Sequence, residues 1–407
     1  MKTKFLPLLA AAFLLIGCPS EPIDPEDPNS GGDNPGTNPN PGGGGGTGNV
    51  IKPSSYQYSH ITSKYDSYKT RFLKYSGNNY CYIYATGTAG DGEITVSEAH
   101  GYGMIIFALM GDKEIFDKMN AFRKAHLSTM NNGLMAWYIK TVGQVPRTSN
   151  GDAMDGSAAT DGDLDIAYAL LLASKKWGGN YKNEAVDHIT KIKNSLMSSA
   201  KRTKLGDWKS INSMDTRSSD WMPGHFEAFY KATNDNYWRQ ARDTVYKLLG
   251  QVSNSNTGLV PDFVTGTPAR ADASCGGASE ANPCDIYSYN ACRVPWRIAL
   301  DYAHNGENRA KTQIDKISAW LKDATGENAA DIKSSYNLNG SVANGYDFYD
   351  IIFAAPFAAG MIANSNNQSF LNKTYDNVRG KTPNEAYAAA LQLLSMLLIT
   401  GNWEAPN

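Results

Sequence analysis

Helical periodicity fills this chain and strand alternation is scarce, and that property fixes the fold class before any motif is read. Apolar residues recur at three- and four-residue spacing through about twelve stretches: Tyr58 to Phe72, Ala99 to Met110, Lys113 to His126, Asp163 to Trp177, Lys182 to Ser199, Asp220 to Thr233, Asp235 to Val252, Cys292 to His304, Arg309 to Leu321, Tyr346 to Ile362, Gln368 to Val378 and Asn384 to Thr400. Glycine and proline punctuate them, with stops at Gly111, Gly178-Gly179, Gly250 and Gly401 and a start at Thr382-Pro383. Ile166 to Ala173 and Ala388 to Ile399 are apolar all round and read as covered on every side; Lys182 to Ser199 is charged on one side and reads as outer. Periodicity therefore predicts a large all-α domain. The connections are long and rich in Gly, Asp and Asn, and such loops carry function.

The N-terminal fifty residues follow other rules. Lys2 and Lys4 precede an apolar run from Phe5 to Ile16 that ends in Leu15-Ile-Gly-Cys18. The run is short for a membrane span and has the pattern of a lipoprotein signal, so residues 1–17 are expected to be removed and Cys18 to carry lipid. Residues 18–50 are Pro-, Gly-, Asp- and Asn-rich, with too little apolar surface to offset ordering, and read as a flexible tether. Residues 51–407 remain as one domain, which must hold whatever site the chain has. The expected address is extracytoplasmic, anchored to a bacterial membrane at the cell surface or in the periplasm.

Composition excludes one class of partner. The net charge is −2 without a basic block, which argues against nucleic acid. With 8 Trp, 23 Tyr and 13 Phe the chain is rich in the aromatic faces on which sugar rings stack, and core packing claims many of them. Cys275 and Cys284 bracket a Gly-rich loop closely enough to staple it, which an oxidising compartment permits. No cysteine or histidine spacing matches a metal site, so neither metal nor organic cofactor is expected.

Three segments carry candidate chemistry. In Val96-Ser-Glu-Ala-His-Gly-Tyr-Gly-Met104, Glu98 stands where a helix begins, followed by two glycines around Tyr102. A carboxyl group there complements the helix dipole and, if partly buried, becomes a proton donor at neutral pH. In the second segment Asp161, Asp163 and Asp165 alternate ahead of an apolar helix, more acids than capping requires, so that at least one is expected to bind a sugar hydroxyl or steer a water. The third is Tyr287-Ser-Tyr-Asn-Ala-Cys-Arg-Val-Pro-Trp-Arg297, in which Arg293 can fix two carboxylates and Trp296 can floor a sugar site. His100 reads as a sugar contact or a satisfied core imidazole, Asp301 as structural, and Trp177, Trp238 and Trp320 as packing.

Taken together, these segments resemble glycoside hydrolase family 8, the inverting β-glycanases that include cellulases, lichenases, xylanases and chitosanases, over about Val50 to Trp403. Asn132 to Trp137 and Ser218 to Pro223 are similar to segments lining that family's cleft. The resemblance implies an (α/α)6 barrel, a double ring of about twelve helices. It implies Glu98 as general acid and Asp161 as the carboxylate holding the distorted sugar. Many members have an aspartate base where this chain has Asn290, and asparagine cannot take a proton. A branch with asparagine there draws its base from a glutamate in the preceding loop, which implies Glu280, with Asp285 in reserve. Tyr102, Trp137, Asp163, Trp221, Tyr289, Asn290, Arg293 and Trp296 are the expected sugar-binding set.

The reading is an inverting endo-glycosidase, expected to be a monomer, acting on a β-1,4-linked polysaccharide, β-glucan first and chitosan or xylan next. Its rivals are a non-catalytic glycan-binding lipoprotein that keeps the cleft, and a lyase on a similar barrel.

Overall fold

The computed structural model describes residues 48–85, 95–140, 142–143, 156–278, 280 and 282–406. The expected signal segment, Cys18 and nearly all of the expected tether lie outside them. Among the described residues, no helix is long and apolar enough to cross a membrane.

Twelve α-helices alternate in burial along the described chain. The even-numbered ones, α2 (Ser97–Met110), α4 (Thr160–Trp177), α6 (Pro223–Thr233), α8 (Val294–Asn305), α10 (Ile351–Gly360) and α12 (Ala386–Ile399), are buried along most of their length. The odd-numbered ones, α1 (Tyr58–Phe72), α3 (Lys113–Ala125), α5 (Tyr181–Ser195), α7 (Tyr237–Val252), α9 (Asn308–Thr325) and α11 (Gln368–Gly380), bury one stripe each. Each even helix touches the next, and α12 closes on α2, while each odd helix packs outside. This is the (α/α)6 barrel. An inner helix has no solvent face, so it must be apolar all round; an outer helix needs one apolar stripe.

The connections are unequal at the two ends. Inner helices lead to outer ones through short links at 111–112, 178–180, 234–236, 306–307 and 361–367, whereas outer helices return through 73–96, 126–159, 196–222, 253–293 and 326–350, the last return, 381–385, being short as well. The six inner N-termini therefore share one open end, under the long loops. At the closed end runs the chain's entry into the barrel: Asn49 O accepts from Tyr302 Oη at 3.2 Å, and Ile51 N donates to Ile362 O at 2.9 Å.

Short strands brace the open end. β1 (Leu73–Ser76) and β2 (Tyr80–Ile83) form a hairpin; β3 (Thr95–Val96) pairs with β4 (Tyr138–Ile139); β5 (Thr216–Arg217), β6 (Phe263–Thr265) and β7 (Arg270–Ala271) form an antiparallel sheet. β3 leads directly into α2, and Ser97 N donates to Trp137 O at 2.9 Å, which sets the angle at which Glu98 enters the ring.

α2 and α4 approach through glycine. A Cβ on Gly162 would lie 2.4 Å from Ser97 Oγ and 2.5 Å from Ser97 C, and one on Gly101 would lie 2.9 Å from Gly162 O. Gly101 and Gly162 thus let the two helices touch backbone to backbone. Gly162→Ala is expected to force α2 and α4 apart, costing about 1–3 kcal/mol by overpacking, read as a lower midpoint of thermal unfolding; an unchanged midpoint would contradict this packing.

Candidate active site

Two arginines organise the open end. On α4, residues 161 and 165 are one helical turn apart and face the same way, as are 293 and 297 around the start of α8. Asp165 and Arg297 pair bidentately at 2.7 and 2.6 Å with both side chains sealed from solvent, and His225 Nε2 adds a 2.9 Å contact. Burial would raise the Asp165 carboxyl, but Arg297 outweighs it and keeps the group below the usual range. Breaking such a buried pair costs about 3–5 kcal/mol, so this rung fixes α4 against α8.

The upper rung is the reactive one. Arg293 Nη1 contacts Glu98 Oε1 and lies 3.3 Å from Asp161 Oδ2. Tyr102 Oη donates to Glu98 Oε1 at 3.3 Å and accepts from Arg293 Nη1 at 3.2 Å. Asp161 is almost fully covered, while the Glu98 side chain stays 23% exposed, so a substrate can reach it. Glu280 is half-buried, and the charges acting on it are Arg217, Arg293 and Asp161, which brings it to the same cluster. Asp285 is exposed.

Arg217 was missed by sequence reasoning, and Asp220 was marked only as part of the Ser218 to Pro223 segment. Arg217 Nε stands 3.5 Å from Asp220 Oδ2, Arg217 Nη2 donates to Leu205 O at 3.0 Å, and the charge of Arg217 acts on Asp161 and Glu280. Their signal was Arg217-Ser-Ser-Asp220 itself, directly before the Trp-Met-Pro segment. Two guanidinium groups thus face four carboxyl groups, Glu98, Asp161, Asp220 and Glu280, and in a dry site such an excess of acid cannot ionise together.

The protons stay on the acids that burial lifts by more than the arginines lower them. Burial pushes Glu98 up to about 7, with Arg293 opposing and Asp161 adding to the rise. Burial likewise lifts Asp220 to about 6, against Arg217. Burial raises Glu280 as well, more than Arg217 and Arg293 lower it. Burial would raise Asp161 too, but Arg217 and Arg293 outweigh it and hold that carboxyl below its ordinary value. One reachable acid is therefore half protonated near neutrality while its buried neighbour stays ionised.

The Glu280 loop is anchored independently of the barrel. Cys275 and Cys284 are disulfide-bonded with Cα atoms 5.3 Å apart, as their spacing suggested. Leu205, Phe263 and Cys284 form a small apolar cluster of their own, with Trp208 and Cys275 against it. Asp272 accepts from Gly276 N at 2.8 Å and Ser274 N at 3.0 Å. Cys275→Ser with Cys284→Ser is expected to lower kcat on the order of tenfold to a hundredfold, because displacing a catalytic group by about an ångström costs that much, with binding of substrate much less affected; full activity in that variant would show that the staple does not position Glu280.

Several expected sugar contacts are corrected. Asp163 is fully buried and accepts from His188 Nε2 at 2.8 Å and Met135 N at 3.1 Å, pinning α5 and the 135 loop to α4. Alternate residues on a helix differ by about 200° in direction, which points Asp163 away from Asp161. Trp221 is sealed, its Nε1 donating to Thr216 Oγ1 at 3.1 Å. Trp296 is sealed between the rings of Tyr102 and Trp403 with the Arg297 guanidinium 4.0 Å from its centroid. Tyr102 is also sealed and serves the site through its hydroxyl alone. Trp137, Tyr289 and Asn290 stay partly exposed around the cluster, and Tyr289 Oη donates to Asp350 Oδ2 at 3.2 Å. Asp301 is structural, gripped by Arg242 through two 2.9 Å bonds, and His100 is a core imidazole 3.0 Å from Met119 O. Trp177, Trp238 and Trp320 pack against other rings.

A partly exposed acid half protonated near neutrality, and a second acid on a loop above the same arginines, sit at the open end of an (α/α)6 ring and define a glycoside hydrolase. The chain belongs to glycosyl hydrolases family 8, whose model matches residues 52–401. It is 36% identical to a β-glucanase of Niallia circulans over 88% of this chain and 89% of that protein. It is also 36% identical to an endoglucanase of Bacillus sp. strain KSM-330 over 88% of this chain and 80% of that one. The solved apo structure of a β-1,3-1,4-glucanase from Paenibacillus sp. X4 superposes with a TM-score of 0.81 at 34% identity, covering 88% of this chain and 96% of that structure. A cold-adapted family 8 xylanase shares the fold at 21% identity and a TM-score of 0.69.

Proposed function

We propose that the enzyme is an inverting endo-β-glucanase in which Glu98 protonates the leaving oxygen and Glu280 deprotonates the attacking water. Asp161 holds the sugar at the cleavage point, and Arg293 and Arg217 keep Asp161 ionised while Glu98 keeps its proton. The observation that carries this reading is the split between Glu98, lifted to about 7 and open to solvent, and Asp161, held low and covered, on one guanidinium. Asn290 supplies no base, and Glu280, in a stapled loop over Arg217 and Arg293, supports the replacement. Inversion needs the two carboxyl groups far enough apart to admit a water.

The substrate is a β-linked glucan, a choice supported by similarity to a β-glucanase, an endoglucanase and a β-1,3-1,4-glucanase. Chitosan and xylan follow. Trp137, Tyr289 and Asn290 line the path of the sugar. The chain acts as a monomer, outside the cytoplasm and anchored through a lipid on Cys18, as the Leu-Ile-Gly-Cys signal indicates.

Reducing ends released from mixed-linkage β-glucan, carboxymethylcellulose, xylan and chitosan, with proton NMR of the first-formed anomer, test this. Release from the glucans of product with the α anomer first is expected. Binding without release supports the non-catalytic rival, unsaturated product ends a lyase, and a β anomer would rule out inversion.

A further inference from the structure

Asn290 sits between two opposite charges. Its Nδ2 donates to Asp262 Oδ2 at 3.4 Å and its backbone N to the same oxygen at 3.1 Å. Its Oδ1 accepts from Arg293 Nη2 at 2.9 Å, and its backbone O accepts from Arg293 Nε at 3.4 Å. Asp262, 1% exposed, also accepts from Ser288 N at 2.8 Å and Ala291 N at 2.7 Å. Three backbone N–H groups converge on Asp262, which makes it the acceptor for the Asn290 amide even though burial lifts its own carboxyl to about 7, and this leaves the amide oxygen for Arg293. An aspartate at 290 would have no donor for Asp262, and alanine would have nothing for either.

We propose that Asn290 and Asp262 form a positioning pair that occupies Arg293 Nη2 and thereby limits Glu98 to a single guanidinium nitrogen. This rests on the reading of Glu98 as the acid. A guanidinium free at both Nη atoms docks on a carboxylate bidentately, which would hold Glu98 ionised and strip it of the proton it must deliver. The other groups acting on Glu98 stay in place when Asn290 changes: Asp161 on α4, Arg217 on β5, Tyr102 on its own helix and Tyr387 on α12. The position that lost the family's usual base thus has a use for the amide that replaced it.

Asn290→Ala is the direct test, because the residue is partly exposed and its backbone N–H bond to Asp262 survives. The alkaline limb of kcat/KM is expected to move down by about one pH unit, an activity loss of about tenfold above neutrality beyond any pH-independent loss from the missing sugar contact. Asp262→Asn, which weakens the selection of the Asn290 orientation, is expected to shift the limb the same way by less. Carboxyl-13C NMR of Glu98 in Asn290→Ala reads the same downward shift without turnover. Loss of activity at all pH values with the limb and the carboxyl titration unmoved would overturn the proposal. A parent enzyme that cleaves nothing would instead defeat the catalytic reading and leave the NMR titration to decide this one.

Discussion

Glu98→Gln is expected to lower kcat on β-glucan by roughly a hundredfold to ten-thousandfold, the range for losing a general acid. Glutamine keeps the shape and the contact with Arg293 but has no proton to give a departing glucose oxygen. A glucoside whose leaving group departs as a stable anion needs no such proton, so the variant should retain most of its activity on aryl β-cello-oligosides or glycosyl fluorides. Equal loss on both substrate types would show that Glu98 binds rather than protonates. The pH dependence has a definite sign: the acid works protonated, burial has moved its titration from the ordinary carboxyl range to about 7, and the parent should lose activity as pH rises through that value. In the glutamine variant, on an activated substrate, that limb should vanish.

Glu280→Gln is expected to cost as much as the acid, again roughly a hundredfold to ten-thousandfold, with no recovery on activated leaving groups because water must still be deprotonated. Asp285→Asn, at an exposed position of the same loop, should stay within about twofold of the parent, the ordinary behaviour of surface changes. If the two variants exchanged their effects, the base would be Asp285. The base works ionised, and burial raises Glu280, so activity should fall as pH drops through a value above that of an ordinary glutamate. Between this limb and the one at about 7 the enzyme has a narrow working range.

Much of this was legible in the chain. α1 spans the stretch that periodicity marked, Tyr58–Phe72, and the other helices end within a few residues of expectation. The larger misses have local causes. α6 begins at Pro223 rather than Asp220, because Pro at its first turn lacks the N–H a preceding turn would use and a 3-10 turn at Ser218–Asp220 takes its place. α10 begins at Ile351 rather than Tyr346, because Asp350 Oδ1 accepts from Ile352 N and caps it, and Tyr349 pairs with Lys333. The glutamate, the aspartate and the arginine of the site were readable from motif and resemblance. Asp163 and Trp296 were misread because a motif lists residues in order and says nothing of which way each faces. Arg217 and Asp262 act through partners some 56 and 28 residues away, Asp161 and Asn290, and no local pattern marks such a pairing.

Residues 48–52 cross the barrel at the end opposite the six inner N-termini, held to Tyr302 and Ile362. Gly48, the first described residue, therefore sits at the back of the molecule, on the far side of the ring from Glu98. A support attached at this blunt rear would leave the mouth clear for a long polymer to pass across it.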